Sequence, residues 1–100
     1  MNKLDLEITS KAFSDIENIT DYVAKDNRRA AKNLAKYFYT TFDKLTIHPM
    51  LGKTRDDLTY LNALFYVAKR HYLVVYRVIN NNTVRILRIL STYQEICSKL

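Results

Sequence analysis

The chain has 100 residues, of which 48% are apolar, 26% charged and 12% aromatic, and it carries a net charge of +6. That length gives one domain with a small core, and the apolar and aromatic content excludes a disordered chain. Single glycine, proline and cysteine residues leave no flexible linker, no disulfide within the chain and no cysteine zinc site, which fits a reducing, cytoplasmic setting.

Charged residues from Lys3 to Glu17 leave no signal-peptide core, and no run approaches the roughly 18 apolar residues of a membrane span. Residues Lys3 to Thr9 alternate. Leu4, Leu6 and Ile8 share one face and Lys3, Asp5, Glu7 and Thr9 the other, the pattern of a half-buried strand. Ser10 is the predicted N-cap of a first helix. From Lys11 to about Lys25, Phe13, Ile16, Ile19 (or Thr20) and Val23 recur at helical spacing. Asp26-Asn27 breaks this helix and can cap a second, from about Arg28 to Ile47. Its apolar stripe is Ala31, Leu34, Ala35, Phe38, Phe42 and Leu45. His48-Pro49 ends it, because a residue before proline avoids the helical region. So short a turn between two amphipathic helices predicts an antiparallel helical hairpin.

Residues 48–61 read as a loop. Three strands follow, Leu64–Lys69, Tyr72–Ile79 and Thr83–Ser91, rich in β-branched and aromatic residues. Asn80-Asn81-Asn82 suits a hairpin turn because asparagine tolerates positive φ, and Arg70-His71 can turn between the first two strands. The order β-α-α-β-β-β predicts an α+β fold: one domain over residues 1–100, with the helical hairpin packed on one face of a small antiparallel sheet.

Alternation sets Val84, Ile86, Arg88 and Leu90 against Arg85, Leu87 and Ile89 in the last strand. In its neighbour it sets Tyr72, Val74, Tyr76 and Val78 against Leu73, Val75, Arg77 and Ile79. A sheet with one wet face should not be apolar on both sides, and two helices cover only one. Two readings of the second face stand open. Leu73, Val75, Leu87 and Ile89 form a groove edged by Arg77 and Arg85, suited to a partner segment with apolar anchors and acids. Or the chain's own tail, through Tyr93, Ile96 and Leu100, covers that face. Arg88 is expected to pair with an acid of the first helix, such as Asp15 or Glu17.

Residues 1–50 hold 8 basic and 7 acidic side chains, and residues 51–100 hold 8 and 3. A basic second half suits nucleic acid, a nucleoprotein target or an acidic partner; simple solubility charge is the plain alternative. Arg55, Lys69 and Arg70 join Arg77 and Arg85 as candidate contacts. His71 is either a phosphate contact or near-neutral base, or an exposed turn histidine.

Four tracts, in order, carry a resemblance. They are Asp15-Ile16-Glu17-Asn18-Ile19-Thr20-Asp21-Tyr22-Val23-Ala24, the Pro-x-x-Gly-x-x-Arg loop Pro49–Arg55 with Asp57-Leu58 after it, the Tyr-x-x-x-Tyr-x-Val strand Tyr72–Val78, and Val84-Arg85-Ile86-Leu87-Arg88-Ile89-Leu90. Together they resemble the RelE/ParE superfamily of type II toxin–antitoxin systems, nearer its ParE branch, from about Leu4 to Leu90. The resemblance implies a small cytoplasmic bacterial toxin in a hetero-oligomer with a neutralising antitoxin, with no membrane, cofactor or metal. ParE-branch toxins act on DNA gyrase; RelE-branch toxins cleave mRNA in the ribosomal A site.

The expectation is therefore a non-enzymatic gyrase inhibitor, with a ribosome-dependent endoribonuclease as the alternative and an inert co-repressor as a third reading. Metal-free RNA cleavage needs a base, cations for the phosphate and an acid. By the resemblance, Leu73 stands where such an enzyme carries an arginine, and Tyr93 stands near another. Ser91 takes a position that ParE-like chains fill with histidine. A ribonuclease would depend on His71, Arg77 and Tyr93, helped by Arg70 and Lys99.

Overall fold

The structure, a computed structural model, describes residues 3–54, 63–69 and 71–91. Strand β1 (Asp5–Ile8) leads into helix α1 (Ser10–Ala24), which turns into α2 (Arg28–Ile47). After a short 3-10 turn at Pro49–Leu51 come β2 (Leu64–Ala68), β3 (Tyr72–Ile79) and β4 (Thr83–Ser91). The β-α-α-β-β-β order stands.

The sheet order is β1-β4-β3-β2. β2, β3 and β4 are antiparallel, but β1 joins β4 in parallel, so the sheet is mixed rather than wholly antiparallel. The cause lies at the β1–α1 junction. Thr9 donates its backbone N–H to Ile86 O at 3.1 Å. Further along α1, Asp15 meets Ile89 N at 3.0 Å. Helix α1 thus continues the direction of β1 along the rest of β4, and β1 and β4 run the same way.

Thr9, not Ser10, caps α1. Its Oγ1 accepts from Ala12 N at 3.1 Å and donates to Ile86 O at 2.9 Å, so one hydroxyl starts the helix and ties it to the sheet. The buried stripe of α1 is Ala12, Ile16, Ile19 and Val23. Phe13, expected in that stripe, is 48% exposed. Ala12, its neighbour, is fully buried instead. Asn27 caps α2 through Ala30 N. On α2, Ala31, Leu34, Phe38, Phe42 and Leu45 are buried, as the spacing predicts. The buried hydroxyls of Thr41 and Thr46 donate back to Tyr37 O and Asp43 O.

The β3–β4 turn holds Asn80 and Asn81 at φ 53° and 58°. The register then slips: Tyr76 pairs with Ile86 but Val75 with Arg88, leaving Leu87 as the extra residue of a β-bulge. The bulge exchanges the faces of β4. Val84, Ile86 and Ile89 share the core beneath the helices with Val74 and Tyr76. Leu90 instead joins Ala63, Phe65, Leu73 and Val75 in a second cluster on the opposite side of the sheet.

Candidate functional site

Tyr76 is fully buried under the helices. Its hydroxyl donates to Pro49 O at 2.6 Å and accepts from Gly52 N at 2.8 Å. A Cβ at position 52 would stand 2.6 Å from that hydroxyl, so only glycine fits. The Pro-x-x-Gly loop and the second tyrosine of Tyr-x-x-x-Tyr are two sides of one contact. Lys53 then pairs with Phe65 through two backbone bonds and lays the loop against β2. Burial pushes the Tyr76 phenol above its ordinary pKa, with the Gly52 bond acting the other way; burial also raises Tyr72.

Arg88 pairs with Asp15 as expected. Nε and Nη2 of the guanidinium donate to the two carboxylate oxygens at 2.7 and 3.0 Å, and both side chains are 13% exposed. Asp15 also takes the Ile89 N–H that β4 would otherwise leave open beyond the end of β1. Removing one partner from so enclosed a pair costs about 3–5 kcal/mol. Arg88 therefore holds α1 to the sheet.

The sheet side away from the helices is the candidate surface. Arg77 and Arg85 are direct partners across β3 and β4, each partly exposed, and Glu7 of β1 lies next to Arg85. Arg85 Nε donates to Glu7 Oε1 at 2.6 Å. Leu87 lies partly exposed against the second cluster. Val67, on the outer strand, is 56% exposed.

Of the residues named by the groove reading, one of the two left open for this face, three are placed as follows. Ile89 lies on the helix side, 2% exposed, because the bulge turns it over. Leu73 and Val75 are on the expected side but are 1% and 0% exposed within the chain, so they form its inner cluster rather than an open floor.

Lys69 is not on this surface. It occupies the β2–β3 turn at φ 53°, with Nζ 4.7 Å from the centre of the Tyr37 ring on α2. Beside it on the same seam, Lys44 Nζ donates to Tyr66 Oη at 2.9 Å, a bond that raises the lysine pKa. His71 is exposed at the same turn, edge-on to Tyr72. Five residues, Tyr72 to Tyr76, separate His71 from Arg77, which puts their backbones about 20 Å apart. Arg55, Arg70 and Tyr93 lie outside the described residues. Among the described residues no group of three or more His, Cys, Asp or Glu side chains is placed to hold a metal, and no helix is long and apolar enough to cross a membrane.

Residues 6–96 match the family model described as the ParE toxin of type II toxin–antitoxin system, parDE. The chain belongs to the ParE toxin family. Two solved structures share the fold of this ParE-family toxin. One is the chromosomal ParDE toxin–antitoxin system from P. aeruginosa, at 20% identity and TM-score 0.74, covering 89% of this chain and 96% of that one. The other is the toxin–antitoxin complex RelBE2 from Mycobacterium tuberculosis, at 20% identity and TM-score 0.59, covering 90% and 99%. No curated protein sequence matches the toxin.

Sequence patterning alone missed the part played by Glu7. The alternation of β1 put Glu7 on its polar side, but a local pattern does not say that β1 lies beside β4, and only that pairing sets Glu7 against Arg85.

Proposed function

We propose that this ParE-family toxin arrests growth in the cytoplasm by binding and blocking DNA gyrase, without itself cleaving nucleic acid, and that a cognate antitoxin neutralises it in a hetero-oligomer. The family match over residues 6–96 supports a type II toxin. The solved relatives, described as a ParDE system and a RelBE2 toxin–antitoxin complex, support the antitoxin partner.

One observation carries blocking over ribonuclease chemistry. A base and its phosphate-binding cation must both reach the same scissile phosphate, each at hydrogen-bond distance. His71 lies in the turn before β3 and Arg77 is the sixth residue of that strand, so their backbones are about 20 Å apart. The charge pattern also supports a binding surface: residues 63–69 and 71–91 contain no Asp or Glu. Such a stretch favours encounter with an acidic or nucleoprotein target.

Purified toxin added to ribosomes programmed with mRNA tests this. The expected result is intact message at any toxin concentration. Message cut in the A site would overturn the reading and make His71, Arg77 and Tyr93 the first residues to replace.

A further inference from the structure

A groove runs between α1 and α2 on the side of the helical hairpin away from the sheet. Thr20, Asp21 and Ala24 line it from α1, and Arg28, Lys32 and Ala35 line it from α2. Side chains four or seven positions apart share a helix face. Glu17 and Phe13 therefore continue the row on α1, and Lys36 and Tyr39 continue the row on α2. Phe13 is 48% exposed and Tyr39 39%. Glu17, Asp21, Lys32 and Lys36 are exposed too, and no ion pair among the described residues engages these four charges. The turn at residues 25–27 is short, so the helices run antiparallel and residues equally far from it stand nearly level. Asp21 is level with Lys32, Glu17 with Lys36 and Phe13 with Tyr39. The face carries acids on one helix, bases on the other and an aromatic ring on each at the far end, over a floor of Ala24 and Ala35.

Such a face is complementary to itself. A two-fold axis parallel to the helices lays α1 of one copy over α2 of the other at the same height. Asp21 then meets Lys32 and Glu17 meets Lys36, twice each, and two Phe13–Tyr39 pairs close the far end. A two-fold axis across the helices would stack α1 on α1 and set acid against acid. A nucleic-acid strand suits the basic row but meets the carboxylates of Glu17 and Asp21 beside it. The alanine floor allows close approach of the two hairpins. Helix α1 is about 22 Å long, and two packed helices are about 20 Å wide. Each copy thus contributes about 400 Å², an area that belongs to weak, reversible pairs.

We infer that the free toxin pairs with a second copy of itself through the outer face of its helical hairpin, α1 of each copy lying on α2 of the other. The pairing does not depend on which cellular target the toxin blocks.

Sedimentation velocity of full-length toxin from about 10 µM to 1 mM tests this, with dimers forming in the upper part of that range. Asp21→Lys sets lysine against Lys32 at two places, and Lys32→Glu sets carboxylate against Asp21 at two places. Each variant alone dimerises about tenfold more weakly. An equimolar mixture of the two restores the dimer, because every such contact then joins a cation to a carboxylate. Both variants keep a net positive charge, so overall attraction does not produce that rescue. Phe13→Ser also weakens the dimer about tenfold, while the melting curve of dilute toxin stays nearly unchanged. A toxin that stays monomeric throughout, a mixture no tighter than its components, or a dimer indifferent to Phe13→Ser would each overturn the inference. So would a duplex oligonucleotide that binds the monomer through Lys32 when no dimer forms. Melting curves of dilute samples confirm that all three variants are folded.

Discussion

Tyr76 joins two motifs that lie far apart in sequence, because one buried hydroxyl serves both Pro49 O and Gly52 N. Tyr76→Phe leaves a buried N–H without its partner and should cost about 1–3 kcal/mol at neutral pH. It should also change the response to alkali. Burial raises the phenol above its ordinary 10.0, so the folded chain keeps a proton that the unfolded chain loses. Stability from this group is therefore complete below pH 10 and lost as the pH rises toward the folded value. Thermal melts from pH 8 to 11 should fall less steeply in Tyr76→Phe than in the unaltered chain; equal slopes would contradict this account. At the same scale, the Asp15–Arg88 pair was legible beforehand. An arginine among aliphatic residues needs an acid, and the first helix supplies several. The cap was misplaced by one residue because Thr9 and Ser10 are equally able acceptors. The choice is made by Ile86 O, a group 77 residues away from Thr9.

Elements were legible where the pattern is local. Helix α2 and strands β3 and β4 fall where the spacing of apolar residues puts them. What was not legible depends on long-range pairing. The β4 bulge at Leu87 is held by Thr9 and Asp15, both from the other end of the chain, and it alone moves Ile89 under the helices and Leu90 out. The stripe of α1 was misjudged for a related reason. Phe13 has the larger apolar side chain, but Ala12 is the one that is buried. Ala12→Leu should overpack that seam at a cost of about 1–3 kcal/mol. Phe13→Ser should stay within about 0.5 kcal/mol. Urea titrations of the two variants check this, and a larger loss in Phe13→Ser would return Phe13 to the core.

At the scale of the whole molecule, the two helices cover one side of a mixed sheet, and an inner apolar cluster occupies the other. The uneven charge was visible in the sequence, and the fold gathers Arg77 and Arg85 into one row beside Glu7. The spacing of His71 and Arg77 was not visible, because it depends on β3 running straight between them. A blocker and an enzyme differ in stoichiometry: an enzyme disables many target molecules, while a blocker is consumed one for one. The most direct test titrates purified toxin against a fixed amount of gyrase while following supercoiling of relaxed plasmid. Binding and blocking predict that supercoiling stops as toxin reaches the number of gyrase sites, and returns when antitoxin is added. Unchanged supercoiling at a large excess of toxin would contradict the account.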